Sequence, residues 1–341
     1  MRRDPVVVLS TMRFTEALLE RLRRVAPDRL EVHQVTTGNV EEIPTDLKEA
    51  VEVLYTFNTL PRHREEMPNL RWIQLHSAGV EHVPRWLREE PEILITTTSG
   101  IHAVPIAEYV FMSILAYFRR LPRMLYYQQR GEWPRGRWAL FANGELRGAT
   151  MGVVGYGSIG REVGRLAKAF GMRLLAMRRH GGRREDRGYV VPGTGDPEGV
   201  LPDGWYTPDQ VLEMLPQCDV VVVALPLTEE TRGFIGAREL AAMKPTAYLV
   251  NVGRGPTVDE AALVQALQTG QIGGAGLDVF EEEPLPPDSP LWRLENVILS
   301  PHVSAFSIRY DDRATALFAA NLERYLAGRP LYNLYQRELG Y

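Results

Sequence analysis

The chain has 341 residues, enough for about two domains with sizeable cores. Its 45% hydrophobic and 24% charged residues are ordinary for a globular protein, and a net charge of −4 offers no concentrated basic surface to a nucleic acid. A single cysteine, Cys218, excludes an internal disulfide framework and a cysteine-rich zinc centre, so no metal site is expected.

The first apolar run, Val6-Val7-Val8-Leu9, is too short for a signal-peptide core. No stretch approaches the roughly 20 apolar residues needed to cross a bilayer. The chain therefore reads as cytoplasmic, with no membrane partner. Val6 to Leu9 reads instead as a buried strand, followed by an amphipathic helix over Phe14 to Val25. Further strands are predicted at Val53–Tyr55, Trp72–Leu75 and Ile93–Thr96, which together would make a small doubly wound α/β unit.

After Gly100 comes a long helix through Ala107, Val110, Phe111, Ile114, Leu115 and Phe118. Pro105 suits its first turn, where the missing N–H has no intrahelical partner anyway. The helix is apolar on most sides, which predicts burial between domains or subunits. Leu121 to Arg147 is aromatic and basic, with Trp133, Trp138 and Phe141. Its patterning is poor, and it reads as an arm embracing a partner subunit.

A second α/β series begins at Met151, with strands predicted at Met151–Val154, Leu174–Met177, Asp219–Leu225, Ala247–Val252, Gly274–Asp278 and Val297–Leu299. Thr207 and Gln210 form a capping-box pattern ahead of a helix over Pro208–Leu215. His180 to Trp205, rich in Gly, Pro and charge, reads as a surface loop. Ser307 to Ala327 reads as the last helix.

Gly155-Tyr156-Gly157-Ser158-Ile159-Gly160 is a G-x-G-x-x-G pattern. Alone it would be weak. Here it follows a predicted strand and opens a predicted helix, as a dinucleotide-binding turn requires. The first glycine permits the tight turn, and the second lets backbone approach a pyrophosphate at the positive helix end. An acidic residue about 20 positions on would hold the ribose 2′-hydroxyl of NAD. Arg178 stands there instead, followed by Arg179. A guanidinium binds the 2′-phosphate that a carboxylate would repel, which predicts NADP(H), with NAD(H) as the alternative.

Four further segments carry a family resemblance. They are Ala224-Leu225-Pro226-Leu227-Thr228-Glu229-Glu230-Thr231-Arg232-Gly233, Leu249-Val250-Asn251-Val252-Gly253-Arg254-Gly255, Gly276-Leu277-Asp278-Val279-Phe280-Glu281-Glu282-Glu283-Pro284, and Ser300-Pro301-His302. In this order they resemble the motifs of the D-isomer-specific 2-hydroxyacid dehydrogenases, and the likeness covers nearly the whole chain.

The resemblance implies a Rossmann-type doubly wound parallel sheet plus a second, smaller flavodoxin-like α/β substrate domain. It assigns residues 101–303 to the dinucleotide-binding domain, and residues 1–100 with 304–341 to the substrate domain. Catalysis is expected in the cleft, whose closure would expel water. A homodimer through the cofactor domain is also implied.

The reaction implied is reduction of a small 2-keto acid to a D-2-hydroxy acid. His302 would supply the proton, since histidine titrates near neutrality. Glu283 would pair with it, because a nearby carboxylate favours the imidazolium and orients the ring. Glu281 and Glu282 compete for that role, but the family's acidic partner directly precedes the motif's proline. Arg254 would hold the substrate carboxylate and polarise the carbonyl through its fork of donors.

By the same likeness Asp278 would bond the nicotinamide carboxamide. Leu225, Pro226 and Thr231 would line the adenosine side, and Val252 the nicotinamide side. The turn Ser77-Ala78-Gly79 would hold the substrate carboxylate with its backbone N–H groups. His76, His82 and His102 lie near such turns, where surface or capping roles are favoured over substrate contact.

Pro284 to Trp292, the arginine at the cofactor strand and the closing Gly340-Tyr341 resemble the glyoxylate/hydroxypyruvate reductase branch. A phosphoglycerate dehydrogenase is the alternative enzyme, needing cations at a substrate phosphate. A nicotinamide-sensing corepressor is the alternative from another class, disfavoured by the compact length.

Overall fold

The computed structural model describes residues 5–179 and 184–338. The start of the 180–205 segment and the closing Gly340-Tyr341 pair lie outside the described residues. The chain divides into two compact units. The first takes the chain up to His102, Arg187–Val191 and the chain from Ser307; the second takes Ala103–Asp186 and Pro192–Phe306.

The first unit is built on five parallel strands: β1 (Val6–Ser10), β2 (Leu30–Gln34), β3 (Val53–Thr56), β4 (Trp72–Leu75) and β5 (Leu94–Thr96). Their order, β2-β1-β3-β4-β5, is that of flavodoxin-like sheets. Every residue of β3 and β4 is buried, as expected where helices cover both faces of a parallel sheet. Side chains alternate along the strands, so Leu54 and Ile73 enter the core on one face while Tyr55 and Trp72 enter the other. The second core is closed by the helix Tyr310–Leu326, which contributes Phe318 and Leu322.

The sequence reading did not anticipate β2. Its five residues, Leu30-Glu31-Val32-His33-Gln34, lie at the sheet edge and bury only Leu30 and Val32. So short an apolar alternation gives little periodic signal.

The second unit holds seven parallel strands: β6 (Thr150–Val154), β7 (Arg173–Met177), β8 (Gly204–Tyr206), β9 (Val220–Val223), β10 (Tyr248–Asn251), β11 (Gly274–Leu277) and β12 (Val297–Leu299). Their order is β12-β11-β10-β9-β6-β7-β8. The direction of winding reverses between β6 and β9, which is where doubly wound sheets open a crevice for a ligand. The helix Ala103–Phe118 lies along the helix Ser158–Ala169 and across β10 and β11, so its apolar sides are buried within this unit.

The surface-loop reading of 180–205 needs correction. Asp196 is buried, and its carboxylate accepts hydrogen bonds from Tyr156 Oη at 2.9 Å and from the backbone N–H groups of Val200 and Leu201 at 3.0 and 3.1 Å. Arg161, only 1% exposed, donates to the carbonyls of Asp196 and Arg184. The Gly195 N–H donates to Glu162 Oε2 at 2.6 Å. The segment then ends in β8, which pairs with β7. Its anchors sit on the helix Ser158–Ala169 and the turn before it, so local composition carries no trace of them.

The helix predicted over Pro208–Leu215 is a composite. A 3-10 turn at Pro208–Gln210 leads into an α turn at Val211–Met214 and a second 3-10 turn at Leu215–Gln217, with the Thr207–Gln210 capping box in place.

Candidate active site

The glycine-rich turn joins the end of β6 to the helix Ser158–Ala169, beside the point where the sheet reverses. Two of its glycines answer to contacts inside the chain. A Cβ on Gly155 (φ +102°) would lie 2.7 Å from the Ala224 carbonyl oxygen, and one on Gly160 would lie 2.4 Å from that of Gly155. Gly157 is different, because a Cβ there would meet no atom of the described residues within 4 Å. Packing therefore does not explain the middle glycine, whereas close approach of a pyrophosphate does. Gly157 also caps the helix without a side chain, so the first N–H groups, at Ser158 and Ile159, face outward beneath the positive end of the helix dipole. The turn fits a dinucleotide.

The Tyr156 side chain packs inward, away from the face of the turn. It is buried, its hydroxyl is committed to Asp196, and the Arg161 guanidinium lies 5.3 Å from its ring centroid. Only its backbone belongs to the turn's surface.

Arg178 and Arg179 follow β7 at its C-terminal end. The Arg178 N–H bonds the Tyr206 carbonyl at 2.9 Å, while Arg179 pairs with Glu230 at 3.5 Å. Leu225 and Val252 are buried at the ends of β9 and β10. Thr231 Oγ1 donates to the Pro226 carbonyl at 2.6 Å and closes the turn between them.

Arg254 sits on a loop that its neighbours fix. Asn251 Oδ1 accepts from the Gly253 N–H at 3.1 Å, and Thr257 Oγ1 donates to the Arg254 carbonyl at 2.6 Å. The Arg254 guanidinium itself donates to the Gly253 carbonyl at 3.0 Å.

His302 and Glu283 meet at 2.7 Å, Nδ1 to Oε2. The other Glu283 oxygen accepts from the Phe280 N–H at 3.0 Å, so the carboxylate is held at both ends. Of the three consecutive glutamates, Glu283 is the one against the histidine; Glu281 instead donates its backbone N–H to Glu260. His302 has φ +54°, a left-handed conformation that a histidine adopts only when its surroundings impose it. An apolar cavity of about 670 Å³, walled by Leu285, Trp292 and Leu299, adjoins the pair.

Those surroundings centre on Asp278. The residue is 1% exposed, and its carboxylate accepts from Ser300 Oγ at 2.5 Å, the Val303 N–H at 2.9 Å and the Ser304 N–H at 3.0 Å. It clamps the histidine loop from both sides of His302. Ser300 Oγ also lies 2.7 Å from the Tyr109 hydroxyl, which burial pushes up to about 12. Sequence reasoning missed Ser300, Tyr109 and Asn251. Ser300 and Asn251 lay within quoted motifs, and the hydrogen-bonding capacity of their side chains was the available signal.

Cys218 is buried with its thiol pushed up to about 12 by that burial, so it is not a nucleophile. In the first unit, Ser77-Ala78-Gly79 follows β4. Ser77 Oγ donates to the Gly79 carbonyl at 2.9 Å, and the Ser77 carbonyl accepts from the Thr98 N–H at 2.9 Å. No helix among the described residues is long and apolar enough to cross a membrane.

The family model for the D-isomer specific 2-hydroxyacid dehydrogenase, NAD binding domain, matches residues 111–304. A glyoxylate reductase from Thermofilum pendens is 36% identical over 283 residues, covering 82% of this chain and 79% of that protein. A D-isomer specific 2-hydroxyacid dehydrogenase from Xanthobacter autotrophicus Py2, solved with NADPH and MES, superposes with a TM-score of 0.78 at 27% identity, covering 99% of this chain and 100% of that one. An NADPH-dependent glyoxylate/hydroxypyruvate reductase from Sinorhizobium meliloti, solved with NADP and sulfate, gives a TM-score of 0.75 at 25% identity over 98% of this chain and 100% of that one. With the doubly wound sheet, the glycine turn and these likenesses together, the chain belongs to the D-isomer specific 2-hydroxyacid dehydrogenase family and is an NAD(P)-dependent oxidoreductase.

Proposed function

We propose that this enzyme reduces glyoxylate or hydroxypyruvate to the corresponding 2-hydroxy acid, with NADPH as the preferred cofactor. The observation that carries the reading is the His302–Glu283 pair at 2.7 Å. Bound at the glycine turn, a reduced nicotinamide supplies a hydride to the substrate's carbonyl carbon.

The chain's own residues do the rest. Nδ1 of His302 is occupied by Glu283, which leaves Nε2 to give the carbonyl oxygen its proton. Glu283, fixed by the Phe280 N–H, keeps the ring from turning. Arg254 takes the substrate carboxylate with two parallel donors, on a loop that Asn251 and Thr257 hold still. Ser77, Ala78 and Gly79 offer backbone N–H groups to a carboxylate. Arg178 is assigned the 2′-phosphate, in preference to Arg179, whose charge faces Glu230. The aromatic arm of Leu121–Arg147 is assigned to a homodimer interface.

The test is loss of absorbance at 340 nm, crossing NADPH and NADH with glyoxylate, hydroxypyruvate, pyruvate and phosphohydroxypyruvate. Turnover should be fastest with NADPH and glyoxylate or hydroxypyruvate, and His302→Ala should lower kcat by about 10²–10⁴. Turnover with NADH alone would remove the role given to Arg178. Preference for the phosphorylated acid would make this a phosphoglycerate dehydrogenase, and near-wild-type turnover of the alanine variant would remove His302 from the chemistry.

A further inference from the structure

Beside the Ser77–Gly79 turn lies a partly buried polar cluster that the reaction does not use. It joins β3, the end of β4, the stretch before the helix Ala103–Phe118 and the first turn of the helix Tyr310–Leu326, all within the first unit. Tyr310 is its hub. The Tyr310 hydroxyl donates to the main-chain carbonyl of His76 at 2.6 Å and lies 2.8 Å from His102 Nε2. A hydroxyl has one proton and a carbonyl can only accept, so the Tyr310 proton goes to His76. His102 must then donate from Nε2, which fixes its tautomer from the network.

The His76 ring is held as well. Its Nδ1 lies 2.7 Å from the Tyr55 hydroxyl and its Nε2 lies 3.6 Å from Asp311. Burial lowers its pKa against the opposing pull of Asp311, so the ring is neutral near neutral pH. The Nε2 proton then faces Asp311, and Nδ1 accepts from Tyr55. Tyr310 packs 4.8 Å from the His76 ring and 5.1 Å from that of His102, centroid to centroid.

His76 immediately precedes Ser77, and its carbonyl belongs to the peptide whose N–H is that of Ser77. The Tyr310 bond therefore sets the plane of the first peptide in the turn. The turn's other fixed points are the His76 N–H on the Thr56 carbonyl at 2.8 Å and the Thr98 N–H on the Ser77 carbonyl at 2.9 Å. A bond to one peptide oxygen aims the N–H on its far side, and aimed N–H groups are what an anionic carboxylate needs.

We propose that Tyr310 is a positioning residue for the substrate: through its bond to the His76 carbonyl, it aims the Ser77 N–H, the first of the Ser77–Gly79 turn, at the carboxylate of the keto acid. This rests on the reading that the turn binds that carboxylate.

Tyr310→Phe tests it, since the ring and its packing stay and one oxygen leaves. The KM for glyoxylate should rise about tenfold, with kcat within about threefold and the Kd for NADPH, from fluorescence titration, unchanged. Hydrogen exchange at the His76 and Thr98 amides should quicken about tenfold, while amides of β6 and β7 keep their protection. Asp311→Asn leaves the hydroxyl in place and should shift KM by less than threefold. An unchanged KM in Tyr310→Phe, or equal effects of the two variants, would overturn the proposal. So would unchanged exchange at His76 and Thr98, a readout that needs no turnover. Failure of the wild-type enzyme on all four keto acids would instead sink the functional reading, and exchange would still decide whether Tyr310 holds the turn.

Discussion

The glycines of the nucleotide turn do not all answer to the same demand, and the difference is measurable. Gly155 and Gly160 are dictated by the chain's own backbone, so a side chain at either would strain the fold. Gly157 has φ −86° and open space around it, a conformation that alanine adopts freely. Gly157→Ala should leave the melting temperature unchanged or slightly raised, because alanine costs the unfolded chain less entropy. The same variant should raise the Kd for NADPH at least tenfold, as its methyl group meets the pyrophosphate. Unaltered binding in a well-folded variant would mean that no phosphate approaches Gly157. The motif was legible because all three demands fall within six residues. The hydrogen bonds of Tyr156 and Asp278 were not legible, for the opposite reason. Their partners, Asp196 for the first and the Ser300 hydroxyl with the Val303 and Ser304 N–H groups for the second, lie far along the chain, and a side chain's direction is not written in its neighbours.

At the level of elements, legibility followed burial. β9 is four valines enclosed on both faces, and such an apolar run announces itself. β2 and β8 lie at sheet edges, where half the residues meet solvent and the pattern dissolves. The segment ending in β8 owes its order to Asp196. Asp196→Ala would strand the Tyr156 hydroxyl and two backbone N–H groups, a loss of about 1–3 kcal/mol for buried donors left without partners. Urea unfolding should register that loss, and proteolysis within 184–201 should accelerate. A variant as stable and as resistant as the wild type would show that the buried carboxylate is not what holds the segment.

For the whole molecule, the aromatic arm supplies the argument about assembly. Trp133 and Trp138 are 83% and 86% exposed, with Met124, Leu125 and Tyr126 exposed nearby on the helix Leu121–Gln129. These exposed apolar side chains are what the proposed homodimer interface would bury. Sedimentation should give about twice the 38.5 kDa chain mass, and Trp133→Ser with Trp138→Ser should lower it toward one chain. A wild-type monomer at micromolar concentration would refute the interface. The return of Arg187–Val191 to the first unit was not legible in the sequence, since it depends on what Tyr189 meets in space: Asn333, whose side chain accepts its N–H at 3.1 Å.

The covering of the first sheet by Phe318 and Leu322 has a further consequence, for the chain's birth on the ribosome. Gln74 in β4 and Asn321 in the covering helix, hydrogen-bonded in the finished fold, are 247 positions apart. At a synthesis rate of about 5–20 residues per second, the Tyr55–Trp72 face waits roughly 12 to 50 seconds for its helix. For that interval the nascent chain carries an uncovered aromatic surface, while all of the second unit is made before its cover arrives.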